Sequence, residues 1–262
     1  MNHHPAPTTP EAVARVALAC LDLTSLNDGQ DLQGGEGDVE ALCGRAVGPA
    51  GRGSTAAVCV WPRLAGLARS LLPPAIPVAA VANFPAGGSD VQRAVRDTGQ
   101  IVAAGAQEVD VVIPYRDLAA APALLAAVRR ACEGLTLKVI LETGELHDPA
   151  LIAQACHIAL DAGADFLKTS TGKTPRSATP EAATVLLQAI AADQSARHRV
   201  GFKPSGGIRT VADAALYIAL TAQHLGAQAL TPQRFRIGAS GILTDIEAVL
   251  GGGQRPVPDA SY

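Results

Sequence analysis

Gly163-Ala164-Asp165-Phe166-Leu167-Lys168-Thr169-Ser170 joins a glycine suited to end a helix, a short apolar run and a lysine set inside that run. A near copy, Gly105-Ala106-Gln107-Glu108-Val109-Asp110, stands earlier in the chain. Both read as a helix handing over to a buried strand that carries a charge. Working outward, β-branched runs recur at Ala17–Leu23, Thr55–Trp61, Pro77–Phe84, Val109–Ile113, Leu137–Thr143, Asp165–Ser170, Val200–Lys203 and Arg234–Gly238. Alanine-rich stretches with helical character separate them. Eight strands alternating with helices predict a parallel sheet under a helical layer, either a barrel or a doubly wound sheet. Several runs are apolar almost throughout, as strands covered on both faces should be. Asp148-Pro149 and Thr179-Pro180 pair an N-cap residue with proline at the first helical position, and Thr210 with Asp213 makes a capping box.

A chain of 262 residues suits one (β/α)₈ barrel, which takes about 250. No linker or charge run divides its middle, so residues 1–262 are expected to form a single barrel domain. Residues 1–10 are expected to be a flexible lead-in, and the glycine- and proline-rich residues 251–262 a mobile tail. A net charge of −3 with no basic block, and aromatics at 3%, point away from nucleic acid and anionic membranes. The N-terminus lacks the apolar core of a signal peptide, so a cytoplasmic location is expected. Cys20, Cys43, Cys59, Cys132 and Cys156 sit in apolar stretches without CxxC spacing and are expected to be buried thiols. The six histidines form no ligand-spaced set, and no metal is expected.

Parallel barrels collect function at the C-terminal ends of their strands. Those ends carry Asp22, Asn83, Asp110, Glu142, Lys168, Lys203 and Ser240. Rim pairing is the bland explanation for any one of them. Lys168 resists it, because a lysine between Leu167 and Thr169 must point into the barrel mouth or into an apolar helical layer. A lysine attacks a carbonyl only when neutral. A second ammonium on the next strand, Lys203, and desolvation both favour the neutral form; a like charge at ~6 Å is worth about two pKa units at an effective dielectric of ~20. Asp110 can hold a water or move a proton. Amine, tuner and acid/base together make the outfit of imine chemistry. Gly172, Gly206, Gly207 and Gly238 follow the last three strands, where barrels often cradle phosphate with backbone N–H groups. Lys173, Arg209 and Ser240 could add charge and a hydroxyl.

Several long motifs in order resemble the deoxyribose-phosphate aldolase family. They are Leu21-Asp22-Leu23-Thr24-Ser25-Leu26-Asn27-Asp28, Asn83-Phe84-Pro85, Glu108-Val109-Asp110-Val111-Val112, Lys138 to Leu146, Gly163 to Lys173, Gly201 to Thr210 and the terminal Ser261-Tyr262. The resemblance implies a (β/α)₈ barrel and a class I aldolase that uses no cofactor or metal. It makes Lys168 the imine-forming lysine, Lys203 its tuner, Asp110 a proton relay and Tyr262 a tail phenol that assists proton transfer. It assigns Asp22, Thr24, Thr171, Gly172, Lys173, Gly206, Gly207, Gly238 and Ser240 to substrate and phosphate. Two positions depart from the family pattern: Gln107 replaces an acidic residue, and Gly241 stands where a related subtype has a second serine. The expected reaction is reversible cleavage of 2-deoxy-D-ribose 5-phosphate to D-glyceraldehyde 3-phosphate and acetaldehyde. The alternatives are a Schiff-base aldolase for another phosphorylated sugar and a non-catalytic sugar-phosphate-binding barrel. A homodimer is the default expectation for assembly.

Overall fold

The computed structural model of the protein describes residues 6–48, 51 and 53–251. Eight strands run β1 Leu21–Thr24, β2 Ala57–Val60, β3 Val78–Ala82, β4 Glu108–Val112, β5 Thr136–Ile140, β6 Phe166–Lys168, β7 Gly201–Lys203 and β8 Ile237–Ala239. The α-helices are α1 Pro10–Ala19, α2 Glu36–Val47, α3 Ala65–Leu71, α4 Val91–Ala103, α5 Ala121–Ala131, α6 Thr143–Leu146, α7 Pro149–Asp161, α8 Pro180–Ala192, α9 Val211–Leu225 and α10 Ile242–Gly251. The cap signals act as read: the side chains of Asp148 and Thr179 accept the N–H groups of Ala150 and Ala182, and Thr210 with Asp213 closes a full capping box.

All pairings are parallel, and β1 lies between β2 and β8. The remaining edge is joined by isolated bridges, Phe202 with Phe235 and Ser205 with Gly238, which complete the (β/α)₈ barrel. β2 and β3 are buried along their whole length, which explains their near-continuous apolar character, and β4 is equally buried although it carries Glu108 and Asp110. The five cysteines are free and buried. No helix among the described residues is long and apolar enough to cross a membrane.

Two sequence expectations need correction. Ala17–Cys20 is not strand: Ala17 to Ala19 end α1 and Cys20 caps it. Thr9 and Pro10, placed by composition in the lead-in, instead start that helix, with Thr9 accepting from the Ala12 N–H. The run was apolar enough for either structure, and the Thr-Pro start signal decides it. At the other end Gly251 closes α10, while residues 252–262, including Tyr262, lie outside those described.

The two look-alike segments do the same mechanical work. Gly105 and Gly163 adopt φ of +75° and +79° to leave their helices. Two residues later, Gln107 accepts the Val78 N–H at 2.8 Å and an Arg69 N–H at 3.2 Å. Asp165 accepts the Leu137 N–H at 2.8 Å and an Arg129 N–H at 3.1 Å. Each arginine also donates to carbonyls in the turn after its own helix, Leu72, Pro73 and Ile76 in one case, Cys132 and Leu135 in the other. Gln107 is therefore a structural peg at the N-terminal end of β4. An amide oxygen serves there as well as a carboxylate.

Inside the barrel, Gly201 lies opposite Phe166, and a Cβ at Gly201 would come within 2.3 Å of the Phe166 ring. Gly201→Ala is expected to lower stability by about 1–3 kcal/mol through overpacking. Urea or thermal unfolding checks this, and an unchanged midpoint would mean that the ring has room to move.

Candidate active site

Register brings the charged residues together. Asp110 lies opposite Lys138, and Lys168 opposite Lys203. Asp22, Glu108, Asp110, Lys138, Lys168, Lys203 and Arg236 are all buried inside the barrel. Asp110 is the hub: its Oδ2 accepts from Lys168 Nζ and Lys203 Nζ, both at 2.8 Å, and its Oδ1 from Lys138 Nζ at 2.7 Å. Lys203 also donates to Asp22 at 2.5 Å. Lys138 reaches Glu108 at 2.5 Å and Asp22 at 3.6 Å. Arg236 bridges Asp22 and Glu108 beneath them and lies over the Phe166 ring.

The bookkeeping of charge singles out one lysine. The cluster holds three carboxylates and four basic groups, so it is neutral only with one base uncharged. Within 4 Å, Lys138 has three carboxylate partners, Lys203 two and Lys168 one. An uncompensated buried charge is costly, so Lys168 is the group most readily left neutral. Burial, together with the charge of Lys203, holds its pKa below the usual lysine value, although Asp110 pulls the other way. Burial also acts against the charged forms of Lys138 and Lys203, but their carboxylates outweigh it and raise both pKa values. Asp110 is pushed up by burial, yet Lys138, Lys168 and Lys203 keep it well below the usual carboxylate range. Asp110 thus works as a fixed anion that orients amines, and it is a weak proton acceptor on its own. Burial outranks the Lys203 ammonium among the causes acting on Lys168, a reversal of the weight the sequence suggested.

The other predicted residues fall into two groups. Asp22 is wholly buried and accepts from Lys203 and Arg236 as their charge partner. Thr24 donates to the Asp22 carbonyl at 2.9 Å, which ties its hydroxyl to its own strand. Gly238 makes room: a Cβ there would meet Ser205 Oγ at 2.6 Å and Lys203 Cε at 3.1 Å. Asn83 gives its amide to the Gly88 and Val112 carbonyls and is structural. At the barrel mouth, Gly172 and Gly206 nearly touch; a Cβ on Gly206 would lie 3.3 Å from Gly172 Cα. Gly206 and Gly207 both have positive φ, +83° and +79°, and a Cβ at Gly207 would meet nothing within 4 Å. The Gly207 N–H in such a turn suits an anion, whereas the Gly206 N–H lies 3.4 Å from the Gly238 carbonyl. Ser240 is exposed just before α10. Lys173 reaches across to the exposed Asp28 at 2.6 Å, a surface pair weak enough for a substrate anion to replace. Thr171 is buried and its hydroxyl donates to Glu142.

Sequence reading missed Lys138, Glu108 and Arg236 as members of the cluster. The signal was present, since each is a charge inside an apolar strand or directly beside one.

Lys203→Leu tests the electrostatic account. Attack needs neutral Lys168, so imine formation rises with pH through the Lys168 pKa. Removing Lys203 deletes a repulsive charge and leaves Asp110 to fewer amines, and both effects favour the ammonium. The rising limb of borohydride trapping with acetaldehyde is therefore expected to move to higher pH, against a smaller opposing effect from added apolar packing. An unmoved limb would leave burial as the sole tuner.

The profile of the DeoC/LacD family aldolases matches residues 16–243. A curated deoxyribose-phosphate aldolase from Agrobacterium fabrum (strain C58 / ATCC 33970) is 46% identical over 261 residues, covering 97% of each chain. A crystal structure described as a deoxyribose-phosphate aldolase from Coccidioides immitis superposes with a TM-score of 0.76 at 29% identity, over 92% of this chain and 87% of that one. A deoxyribose phosphate aldolase from Aeropyrum pernix, described as a unique tetramer, gives 0.69 at 25% identity, over 92% of both chains.

Proposed function

Because this chain belongs to the DeoC/LacD family of aldolases, we infer that it cleaves 2-deoxy-D-ribose 5-phosphate reversibly to D-glyceraldehyde 3-phosphate and acetaldehyde through an imine on Lys168. The observation that carries the assignment of Lys168 is its place as the least compensated amine in a buried cluster. Neutral Lys168 Nζ adds to C1 of the open-chain sugar, and loss of water gives a protonated imine. That cation draws the electron pair of the C2–C3 bond into an enamine as the C3 hydroxyl gives up its proton. Glyceraldehyde 3-phosphate departs, C2 of the enamine takes a proton, and hydrolysis frees acetaldehyde and Lys168.

Lys203 donates to the same Asp110 oxygen as Lys168, which places an amine able to pass a proton by way of water beside the nucleophile. Asp110 keeps both amines in place and stabilises the iminium, whose charge is delocalised over nitrogen and carbon. The Gly172, Gly206–Gly207 and Ser240 backbone, with Lys173, supports a phosphate at the mouth. Pure binding of a sugar phosphate would not call for an uncompensated buried lysine, which disfavours a non-catalytic barrel. The part assigned to Tyr262 rests on resemblance alone. A homo-oligomer fits the tetramer described for the Aeropyrum pernix enzyme, and a dimer is the simplest closed form.

Borohydride with acetaldehyde is expected to fix a two-carbon adduct on the peptide carrying Lys168, and Lys168→Ala to abolish both adduct and cleavage. Labelling of Lys203 in place of Lys168 would reverse the roles. The phosphate site yields a separate expectation. A Cβ at Gly241 would meet nothing within 4 Å, so a serine fits there without strain from neighbours. Gly241→Ser should strengthen competition by inorganic phosphate several-fold, the worth of one added hydrogen bond of about 1 kcal/mol. Unchanged competition would move the anion away from the start of α10.

A further inference from the structure

Glu142 is a buried carboxylate outside the charge cluster. It is wholly buried at the end of β5 and adopts a left-handed conformation, φ +54° and ψ +58°, which non-glycine residues seldom hold without cause. Its partners are amide and hydroxyl groups. The Thr171 N–H approaches both oxygens, at 3.2 and 3.4 Å; the Thr171 hydroxyl donates to Oε2, and Thr174 Oγ1 lies 3.3 Å from Oε1. Burial raises its pKa. The single Thr174 hydroxyl proton has a shorter alternative, the Arg176 carbonyl at 2.8 Å. A carboxyl or a carboxamide could therefore occupy the Glu142 position, with its oxygen on Thr171 and its donor on Thr174.

The consequence falls on Thr171. A threonine hydroxyl has one proton and two lone pairs. The proton goes to Glu142, and one lone pair accepts the Lys173 N–H at 3.0 Å. What remains is one lone pair, so Thr171 can accept from a ligand but cannot donate to it. On the functional reading above, the sugar phosphate offers two hydroxyls. The C3 hydroxyl surrenders its proton as the carbon bond breaks and becomes a carbonyl oxygen. The C4 hydroxyl alone keeps its proton from substrate to product.

We propose that Glu142 is a positioning residue that fixes Thr171 as an acceptor for the hydroxyl next to the reacting carbon, and so selects acceptor aldehydes that carry it. This inference rests on the aldolase reading of the same site. The selectivity resides in a polarity set one residue back from the ligand.

The test runs the reaction in the direction of synthesis. Acetaldehyde is the donor, and the acceptor is either D-glyceraldehyde 3-phosphate or 3-phosphooxypropanal, which lacks the hydroxyl. The unmodified protein should favour the hydroxylated acceptor in kcat/KM. Glu142→Met, which preserves bulk, should reduce that preference about tenfold, chiefly through KM, while borohydride trapping of acetaldehyde on Lys168 persists. Glu142→Gln should retain the preference, because its amide oxygen still takes the Thr171 proton. Thr171→Val should lose the preference as Glu142→Met does, and combining the two should cost no more than either alone. Equal losses on both acceptors, or failure of Glu142→Gln to keep the preference, would overturn the proposal and leave Glu142 as a loop brace. Should Glu142→Met not fold, the Gln and Val variants still decide. Absence of any condensation by the unmodified protein would defeat the aldolase reading beneath it.

Discussion

Asp110 meets three lysine amino groups at hydrogen-bond distance in the buried interior of the barrel, and the rest of that interior is arranged to make this tolerable. Two further carboxylates, Asp22 and Glu108, which also hold the Arg236 guanidinium, offset the charge of Lys138 and much of that of Lys203. One amine is left short of partners. The same electrostatic need that stabilises two lysines as cations leaves the third as a base, so structure and reactivity come from a single accounting of charge. Such clusters contribute little net stability after desolvation. Their value here lies in what they do to Lys168.

The backbone makes this arrangement possible by leaving space. Gly238 and Gly201 keep the interior clear where a methyl group would strike Lys203 or Phe166. The register of β4 through β7 then sets the order of charges around the wall. Thr24 binds the backbone of its own strand, and Asn83 and Gln107 bind that of β4 and β3, which holds strand ends fixed so that the charged groups need not supply rigidity themselves.

Much of this was legible beforehand, for a physical reason: a charge in an apolar strand is conspicuous, and Lys168 and Lys203 each close a strand at the end where barrels place their chemistry, with Asp110 inside β4. Lys138 sits in mid-strand between Leu137 and Val139, level with Asp110, and only the register of β4 and β5 brings the two together. Glu108 and Arg236 lie deeper still, where a one-dimensional reading cannot tell an inner floor of the barrel from its base. The glycines of the last three strands were read as one kind, yet Gly238 yields space to side chains whereas Gly206 and Gly207 supply unusual dihedrals. Contact, not composition, separates those uses. The first strand was drawn too long because an alanine-rich apolar run carries no period that distinguishes a helix end from a strand start.

The paired arginine pegs bear on how the chain comes together in time. Arg69 and Gln107 are 38 residues apart, and Arg129 and Asp165 are 36 apart, whereas the Arg236–Asp22 contact spans 214. Closing the longer loop costs roughly 1.5 kcal/mol more chain entropy than closing either shorter one. Each pegged unit can therefore be held before the circle is complete, and the seam between first and last strands is the step with most to gain from being last. The catalytic cluster straddles that seam. Asp110 meets Lys138 and Lys168 across 28 and 58 residues, whereas Asp22 and Arg236 join from the two ends of the chain, so the balance of charge that leaves Lys168 short of partners is set only as the barrel closes.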